Sequence, residues 1–219
     1  MIYISPSRDG SPRRITTMTP APRLAIDGPS TNVQGIVLLL HGGRAASMAP
    51  SPRGLAYLRM LPFAHAVSET TGGRGIAVWR LRYRYRGWNE PYRHPVEDAR
   101  WALARAHRDH PGAPIVLVGH SMGGRVALRV GDSPDVAGVC ALAPWIEAGE
   151  PVRVPRGLPV LIAHGDRDRT TDPEASARYA AALGTRYVPV PNDGHAMLRR
   201  PGVWTDLVIA FVGTVLRVP

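Results

Sequence analysis

Lysine is absent from this sequence, in which all 27 basic residues are arginine. A P-loop, a Schiff base to pyridoxal phosphate and an SxxK nucleophile pair each need an amine, so this absence excludes three classes of mechanism. The formal net charge of +10 raises nucleic acid or anionic lipid as partners. Because glycine, proline and alanine are also abundant, we interpret the basicity partly as codon bias and expect no nucleic-acid partner.

Cysteine occurs once, so the chain cannot form an internal disulfide, and within VAGVCALAP we interpret Cys140 as a small buried hydrophobe. Long apolar runs are also lacking, because the longest, around residues 36–40, is far short of the roughly 20 residues that cross a bilayer. The first residues mix proline with arginine and lack the apolar core of a secretory signal. The sequence therefore predicts a cytoplasmic protein without a membrane partner, and it leaves the oligomeric state open.

The composition that is present is that of an ordinary folded domain. Hydrophobic residues make up 44% of the chain and charged residues 20%, and 219 residues are enough for one sizeable core. Residues 1–23 are rich in proline, serine, threonine and arginine without sustained periodicity, which predicts an extended or poorly ordered segment. We expect residues 24–219 to form a single domain.

Short apolar runs alternate with longer helix-like segments in the rest of the chain. Most of the runs lack a polar and apolar alternation, as expected for parallel strands buried on both faces. The predicted strands are residues 35–40, 76–81, 115–118, 136–142, 160–163 and 186–190. One predicted helix begins at Pro95 and ends near His110, and another begins at Asp172 and stops at Gly184. The pattern indicates an α/β fold with helices on both faces of a mostly parallel sheet.

The stretch LVGHSMGGR, residues 117–125, places Ser121 at the turn between a predicted strand and a predicted helix. It matches the GxSxG pattern of a nucleophile elbow. Side chains two positions before and after a serine in such a tight turn would collide, and Gly119 and Gly123 remove those collisions. The helix N-terminus and the backbone N–H of Met122 then stabilise a developing negative charge, which is the chemistry of acyl transfer.

Glycine-rich turns of this kind also occur for close packing alone, so further motifs are needed. Upstream, the predicted strand GIVLLL ends in His41, Gly42 and Gly43, whose backbone N–H groups come where a second oxyanion donor is required. Downstream, the predicted strand in LPVLIAHGDRD is followed by acids, and NDGH supplies His195 before the last helix. The chain order of serine, acid and histidine matches that of one specific fold.

On these three motif blocks the sequence resembles the α/β-hydrolase family over roughly residues 24–216. The resemblance implies a mostly parallel sheet of about 6–8 strands with helices on both faces. It also implies that Ser121 attacks the acyl carbon, that His195 takes and returns its proton, and that an acid orients the imidazole. Gly43 and Met122 would supply the N–H groups of the oxyanion hole. Because this chain has HGGR where hormone-sensitive-lipase-like esterases have HGGG, that subfamily is not expected.

The turn after the strand at residues 160–163 contains a glycine that selects among four aspartates. In the family pattern the acid follows this glycine by three positions, which from Gly165 selects Asp168. The other three are less suited, because one comes too early in the turn, one caps the next helix and one precedes the histidine by only two residues. They are, in that order, Asp166, Asp172 and Asp193. We predict a carboxylate oxygen of Asp168 within about 3.2 Å of Nδ1 of His195.

The segment WRLRYRYRGW, residues 79–88, alternates arginine with apolar and aromatic residues in the manner of a half-exposed strand. Its arginines are Arg80, Arg82, Arg84 and Arg86. One interpretation is a clamp for a carboxylate, a phosphate or a coenzyme A tail. The interpretation that we favour is a solvated strand end whose arginines pair with Glu90, Glu97 and Asp98, because surface charge runs are usually no more than that.

The segment between the strand ending near Trp145 and the one beginning near Pro159 is too short for the helical lid that many relatives insert. We therefore expect no substantial cap domain and a shallow, open substrate pocket. Its predicted walls are the loop at residues 44–54, which begins with Arg44, together with Trp88 and Trp145. Such a site resembles that of small esterases, thioesterases and the dienelactone hydrolase group.

The function predicted from the sequence is that of a serine hydrolase acting on a small-molecule ester or thioester with a small or exposed acyl group. No cofactor and no metal are expected. Two alternatives stay open, namely an acyltransferase or cyclase that uses the same triad and a noncatalytic ligand-binding member of the fold. A nucleic-acid binder based on the arginines is the last of the alternatives.

Overall fold

The computed structural model describes residues 20–218 of the chain. The extended or poorly ordered segment predicted for residues 1–23 lies almost wholly outside the described residues. The strands are β1 (Arg23–Asp27), β2 (Gly35–Leu40), β3 (Ile76–Arg82), β4 (Ile115–His120), β5 (Val136–Leu142), β6 (Val160–Gly165) and β7 (Arg186–Val190). The helices are α1 (Leu55–Leu58), α2 (Leu61–Thr70), α3 (His94–Asp109), α4 (Met122–Arg129), α5 (Pro173–Leu183) and α6 (Pro201–Leu216).

The strands form one seven-stranded sheet in the order β1-β3-β2-β4-β5-β6-β7. β1 pairs antiparallel with β3, and all the other neighbouring strands are parallel. The carboxyl ends of the parallel strands therefore lie at one edge of the sheet, where α/β proteins place their ligand sites. The predicted α/β architecture with a mostly parallel sheet is confirmed.

All the strands predicted from apolar runs are present. Three of them have the predicted bounds, and the others extend by one or two residues at their carboxyl ends. β1 was not predicted, because this edge strand contains no buried residue and so shows no continuous apolar run. The runs identify strands that are covered on both faces and miss a strand at the exposed edge.

Each face of the sheet packs against its own layer of helices. Along β2, Ile36, Leu38 and Leu40 join the core under α3, α4 and α5, whereas Val37 and Leu39 join the core under α2 and α6. Successive side chains of a strand point to opposite faces, so a strand that is covered on both sides must be apolar at every position. The uninterrupted run in this strand follows from its place in the middle of the sheet.

Helix α5 has the ends that the sequence predicts. The carboxylate of Asp172 accepts a hydrogen bond from the backbone N–H of Glu174 at 2.8 Å, and Pro173 occupies the first helical position. Gly184 ends the helix in the left-handed conformation with φ of 69°. The start of this helix is thereby fixed close behind the loop that follows β6.

No helix or strand occurs in residues 143–159, all of which the structure describes, so no cap is inserted between β5 and β6. Among residues 20–218, none of the helices has both the length and the apolar character needed to cross a bilayer.

Cys140 lies in the middle of β5 with 0% of its surface exposed. Burial raises the pKa of its thiol to about 12. The only thiol of the chain is therefore a packed core group in the folded protein, as the sequence predicts.

Candidate active site

Ser121 stands between β4 and α4 at the carboxyl edge of the sheet. Its backbone angles of φ 57° and ψ −119° lie in a region that non-glycine residues rarely adopt. A Cβ atom on Gly119 would clash with the backbone of Gly123, and one on Gly123 would clash with the carbonyl group of Leu40. These contacts confirm why the positions two before and two after the serine are glycine.

A hydrogen-bonded chain of three side chains runs through the site. Nε2 of His195 lies 2.9 Å from Oγ of Ser121, and Nδ1 of the same ring lies 2.7 Å from Oδ2 of Asp168. The second distance is shorter than the limit of about 3.2 Å that is predicted from the sequence. With Nδ1–H donating to the carboxylate, Nε2 is left as the acceptor for the serine hydroxyl. The loops after β4, β6 and β7 thus bring the three predicted residues together.

Asp168 is held by more donors than His195 alone. Its Oδ1 atom accepts hydrogen bonds from the backbone N–H groups of Thr170 at 2.7 Å and Thr171 at 3.0 Å. Burial acts to raise the pKa of this carboxyl, but the hydrogen bonds from His164, His195 and these two N–H groups outweigh it and hold the pKa well below its usual range. Asp168 therefore stays ionised beside the imidazole.

Two further side chains on Asp168 were not predicted from the sequence. His164 is fully buried and lies between Ser176 and Asp168, with Nδ1 2.8 Å from the serine Oγ and Nε2 3.1 Å from Oδ2 of the aspartate. The hydroxyl of Thr171 donates to the same Oδ2 at 2.9 Å and lies 3.1 Å from Nδ1 of His195. The only sequence signal for these two contacts is that His164 precedes Asp168 by four positions and Thr171 follows it by three.

The other three aspartates have structural partners away from the imidazole. Asp166 accepts from the backbone N–H of Asn192 at 2.7 Å and so ties the loop after β6 to the loop after β7. Asp193 accepts from Nε1 of Trp204 at 2.9 Å and from the backbone of the turn before α6. Burial would raise the pKa of Asp193, but these hydrogen bonds lower it. These carboxylates, with the cap at Asp172, shape the loops that carry the acid and the histidine.

The residues predicted to form an oxyanion hole lie beside the serine. Met122 is the first residue of α4, where backbone N–H groups have no partner within the helix. A Cβ atom on Gly42 would lie 3.3 Å from the Cβ of Ser121. A Cβ atom on Gly43 would lie 2.5 Å from the sulfur of Met122 and from the carbonyl oxygen of Arg86. The turn after β2 is thus packed directly against the nucleophile elbow.

Two buried histidines flank the reactive groups without joining the chain of hydrogen bonds. His120 lies 2.9 Å through Nε2 from the backbone oxygen of His195, and the two rings are 4.8 Å apart. Burial, with a contribution from the charge of His195, lowers the pKa of His120 to about 3. Burial likewise lowers the pKa of His41 to about 4, and its Nδ1–H donates to the backbone oxygen of Gly42. Both rings are neutral supports for their loops.

A cavity of about 250 Å³ adjoins the turn after β2 and includes Arg44, one of the predicted wall residues, in its lining. Trp145 is half-buried, and its backbone N–H donates to the carbonyl oxygen of Ser121 at 3.1 Å. Trp88 is 1% exposed and therefore does not form a wall of an open pocket. The prediction for Trp88 is wrong, because the loop that carries it turns the indole inward, where Nε1–H donates to Glu90.

The face of the Trp88 ring is covered by an arginine from the helix behind the nucleophile. The guanidinium carbon of Arg125 lies 4.2 Å from the centre of the Trp88 ring and 4.6 Å from that of Trp145. Its Nε donates to the buried carboxylate of Glu150 at 2.7 Å. This cation between two aromatic faces anchors residues 145–150 against α4.

The four arginines of residues 79–88, here called the arginine ladder, comprise two that form ion pairs with described residues and two that do not. Arg80 pairs with Asp27, which the sequence analysis did not foresee, and Arg84 pairs with Asp98 and Glu97, as predicted. The predicted partner Glu90 instead pairs with Arg93. The remaining two arginines, Arg82 and Arg86, form no ion pair with another described residue.

The sequence has recognisable relatives. Residues 73–157 match the family described as "Serine aminopeptidase, S33". This match contains Ser121 and ends before Asp168. Over 174 residues the chain is 28% identical to a monoacylglycerol lipase of Mycolicibacterium smegmatis. The alignment covers 70% of this chain and 57% of the lipase, so the chain spans little more than half of that relative's length.

Solved structures with the same fold cover most of this chain. An α/β serine hydrolase without a lid from Xanthomonas campestris superposes with a TM-score of 0.67 and 19% identity, and the match covers 88% of each chain. Est1E of Butyrivibrio proteoclasticus, solved with ferulic acid, superposes with a TM-score of 0.64 and 19% identity over 90% of this chain and 96% of its own.

Proposed function

We propose that this chain, which has the α/β-hydrolase fold, is a serine hydrolase that cleaves an ester or thioester of a small or exposed acyl group. The observation that carries the proposal is the chain of hydrogen bonds from Ser121 through His195 to Asp168, at 2.9 and 2.7 Å, on a strained strand-to-helix turn. Exposed surface serines lack such a base and such a turn. The lipase name of one relative and the serine-hydrolase name of one solved structure agree with this reaction class.

The reaction follows from the direction of these hydrogen bonds. Oγ of Ser121 attacks the acyl carbon while Nε2 of His195 takes its proton, and the imidazolium then returns that proton to the leaving alcohol or thiol. Water attacks the acyl-enzyme in the second half of the reaction, with the same nitrogen as base. Asp168 keeps Nδ1 protonated and stabilises the imidazolium, which its lowered pKa permits because the carboxylate stays charged.

The oxyanion that forms in both halves needs donors that are already in place. The backbone N–H groups of Met122 and Gly43 supply them in our proposal, one at the start of α4 and one after β2. Each preorganised donor of this kind stabilises the transition state by about 3 kcal/mol. The tight packing of Gly43 against the Met122 side chain fixes the relative position of the two.

A hydrolysis screen tests the proposal. Its substrates are p-nitrophenyl esters and acyl thioesters of graded chain length, with an aminoacyl p-nitroanilide as the amide arm. Because residues 143–159 form no lid and the adjoining cavity measures about 250 Å³, we expect short acyl chains to be cleaved fastest. A preference for chains of about twelve carbons or more would contradict the open pocket. Faster cleavage of the anilide than of every ester would change the substrate class.

Labelling with a fluorophosphonate probe separates an active hydrolase from a noncatalytic member of the fold. We expect the folded protein to be labelled at Ser121 and the Ser121→Ala variant to remain unlabelled. Absence of labelling in the folded wild-type protein would contradict the proposal. Product analysis in the presence of alcohols and thiols then shows whether water or another acceptor takes the acyl group.

A further inference from the structure

The cavity beside the turn after β2 has charged walls of one sign. Arg44 and Arg86 both line it, and its lining, which lies within the described part of the chain, includes no aspartate or glutamate. Leu55 and Pro52 contribute apolar surface between them. A small cavity that is lined by two arginines and by no acidic residue is suited to a ligand that carries an anionic group on a short apolar chain.

These two arginines lack a counter-charge, and they line the cavity, unlike Arg82, which also forms no ion pair with a described residue. Arg80 and Arg84 of the same ladder have acidic partners. Arg44 and Arg86 form no ion pair with any described residue, although Arg86 is only partly exposed to solvent. A partly desolvated cation without a partner is stabilised when an anion binds beside it.

The turns that carry the two arginines, which form the rim of the cavity, are joined by hydrogen bonds. The backbone N–H of Arg44 donates to the carbonyl oxygen of Arg86 at 2.9 Å, and the N–H of Trp88 donates to the carbonyl oxygen of Arg44 at 2.8 Å. The side-chain amide of Asn89 accepts from the N–H of Ser47 at 2.7 Å and donates to the oxygen of the same residue at 3.1 Å. The two arginines are therefore held side by side by backbone contacts.

The same rim adjoins the reacting groups. Gly43 directly precedes Arg44 and is packed between the Met122 side chain and the carbonyl oxygen of Arg86. Gly42 also lines the cavity, and a Cβ atom on it would lie 3.3 Å from the Cβ of Ser121, so a ligand in the cavity lies beside the nucleophile. We infer that the cavity of Arg44 and Arg86 binds a carboxylate or phosphate on the ester or thioester that Ser121 cleaves, an inference that rests on the proposed function.

Two pairs of matched substrates test this anion site. Mono-p-nitrophenyl glutarate carries a carboxylate on the acyl side, and p-nitrophenyl valerate is its neutral counterpart. The 3-phosphate of 1-butyrylglycerol carries the anion on the alcohol side, and 1-butyrylglycerol is its neutral counterpart. The value of kcat/KM is measured for each at low ionic strength, where charge pairs are weakly screened. The variants are Arg44→Gln, Arg86→Gln and the double variant, with Arg186→Gln as the matched control.

The control removes the same charge at the opposite edge of the sheet, since Arg186 is the exposed first residue of β7. We expect the charged member of at least one pair to be favoured about tenfold in kcat/KM, as for a charge-assisted contact. This ratio should fall by about threefold or more in each single variant and approach one in the double variant. The control should keep the wild-type ratio. The pair that shows the preference identifies the side of the ester that carries the anion.

Three results would overturn the inference. One is a ratio near one in both pairs for the wild-type protein, and another is a preference that persists in the double variant. The third is an equal loss in Arg186→Gln, which would assign the preference to the net charge of +10 instead of the cavity. In each case hydrolysis of the neutral esters leaves the proposed function intact. If no ester is cleaved and the fluorophosphonate does not label Ser121, the proposed function itself fails.

Discussion

The candidate active site has two charged regions, the loop after β6 and the turns after β2 and β3, and they satisfy their charges in different ways. The loop after β6 surrounds its one functional carboxylate with hydrogen-bond donors, so that Asp168 has a buried side chain with five donors. The turns after β2 and β3 carry Arg44 and Arg86, which line a cavity and have no acidic partner among the described residues. A charge that must hold one orientation in every turnover is saturated from within the protein, and a charge that recognises a ligand is left for the ligand.

Substitution of Ser121 should give the largest loss of activity. Ser121→Ala removes the nucleophile, and we expect kcat to fall by about four powers of ten or more while the fold is kept. Ser133→Ala, on the turn between α4 and β5, is the matched control and should keep wild-type activity. The measurements are steady-state hydrolysis and circular dichroism. A folded Ser121→Ala variant with wild-type kcat would rule out the serine mechanism.

Asp168→Asn, in the loop after β6, should give the second largest loss of activity. We expect kcat to fall by about three powers of ten, because the amide no longer fixes the imidazole with Nδ1–H toward it. The carboxyl has a lowered pKa in the folded protein, so its contribution to stability is complete above about pH 4 and decreases as the pH falls further.

Acid unfolding checks the second part of that prediction. Below about pH 4 the free energy of unfolding should fall more steeply with decreasing pH in the wild-type protein than in Asp168→Asn, by up to about 1.4 kcal/mol per pH unit. Identical slopes in the two proteins would show that Asp168 does not have a lowered pKa.

Gly43→Ala tests the contact between the turn after β2 and the nucleophile elbow. The added Cβ would lie 2.5 Å from the sulfur of Met122 and from the carbonyl oxygen of Arg86. This backbone oxygen can move only if the turn that carries Arg86 moves with it. We expect about a hundredfold loss in kcat, the size of one displaced oxyanion donor. Gly202→Ala, where an added Cβ would meet open space at the exposed start of α6, is the control. Unchanged kcat in Gly43→Ala would show that the packing of Gly43 against Met122 and Arg86 does not position the oxyanion donors.

Thr171→Val removes one donor to Asp168 and keeps the side-chain shape and both backbone hydrogen bonds. With four donors remaining, we expect only about a tenfold loss in kcat, the smallest effect in this series, and little change in KM. Thr171→Ser retains the hydroxyl and should recover most of the activity. Equal losses in the two variants would assign the effect to packing instead of the hydrogen bond.

The sequence predicts the parts of this molecule that repeat a pattern or a spacing. Buried strands such as β2 are visible because both faces require apolar residues, and the three-residue step from Gly165 leads to the aspartate that lies against His195. The exposed edge strand β1 has no such pattern. The position of Trp88 depends on the direction in which its loop turns, and in the fold its ring packs against Arg125, which is distant in sequence.

The hydrogen-bond partners of Asp168 other than His195 could not be predicted from the sequence either. His164 and Thr171 contact Asp168 through a turn whose shape depends on Gly165, where an added Cβ would lie 2.5 Å from the carbonyl oxygen of Asp193. The division of the arginine ladder depends in the same way on Asp27 of the edge strand that was missed. Contacts between loops are set by tertiary packing, which local pattern does not encode.

The buried thiol of Cys140 has a practical consequence for following the folding of this protein. It lies in a central strand, and a thiol reacts as its thiolate, so an alkylating reagent modifies it only when β5 opens. Because the chain has no other cysteine, each molecule that unfolds gains a single label. The rate of alkylation therefore counts openings of the sheet core without an engineered probe.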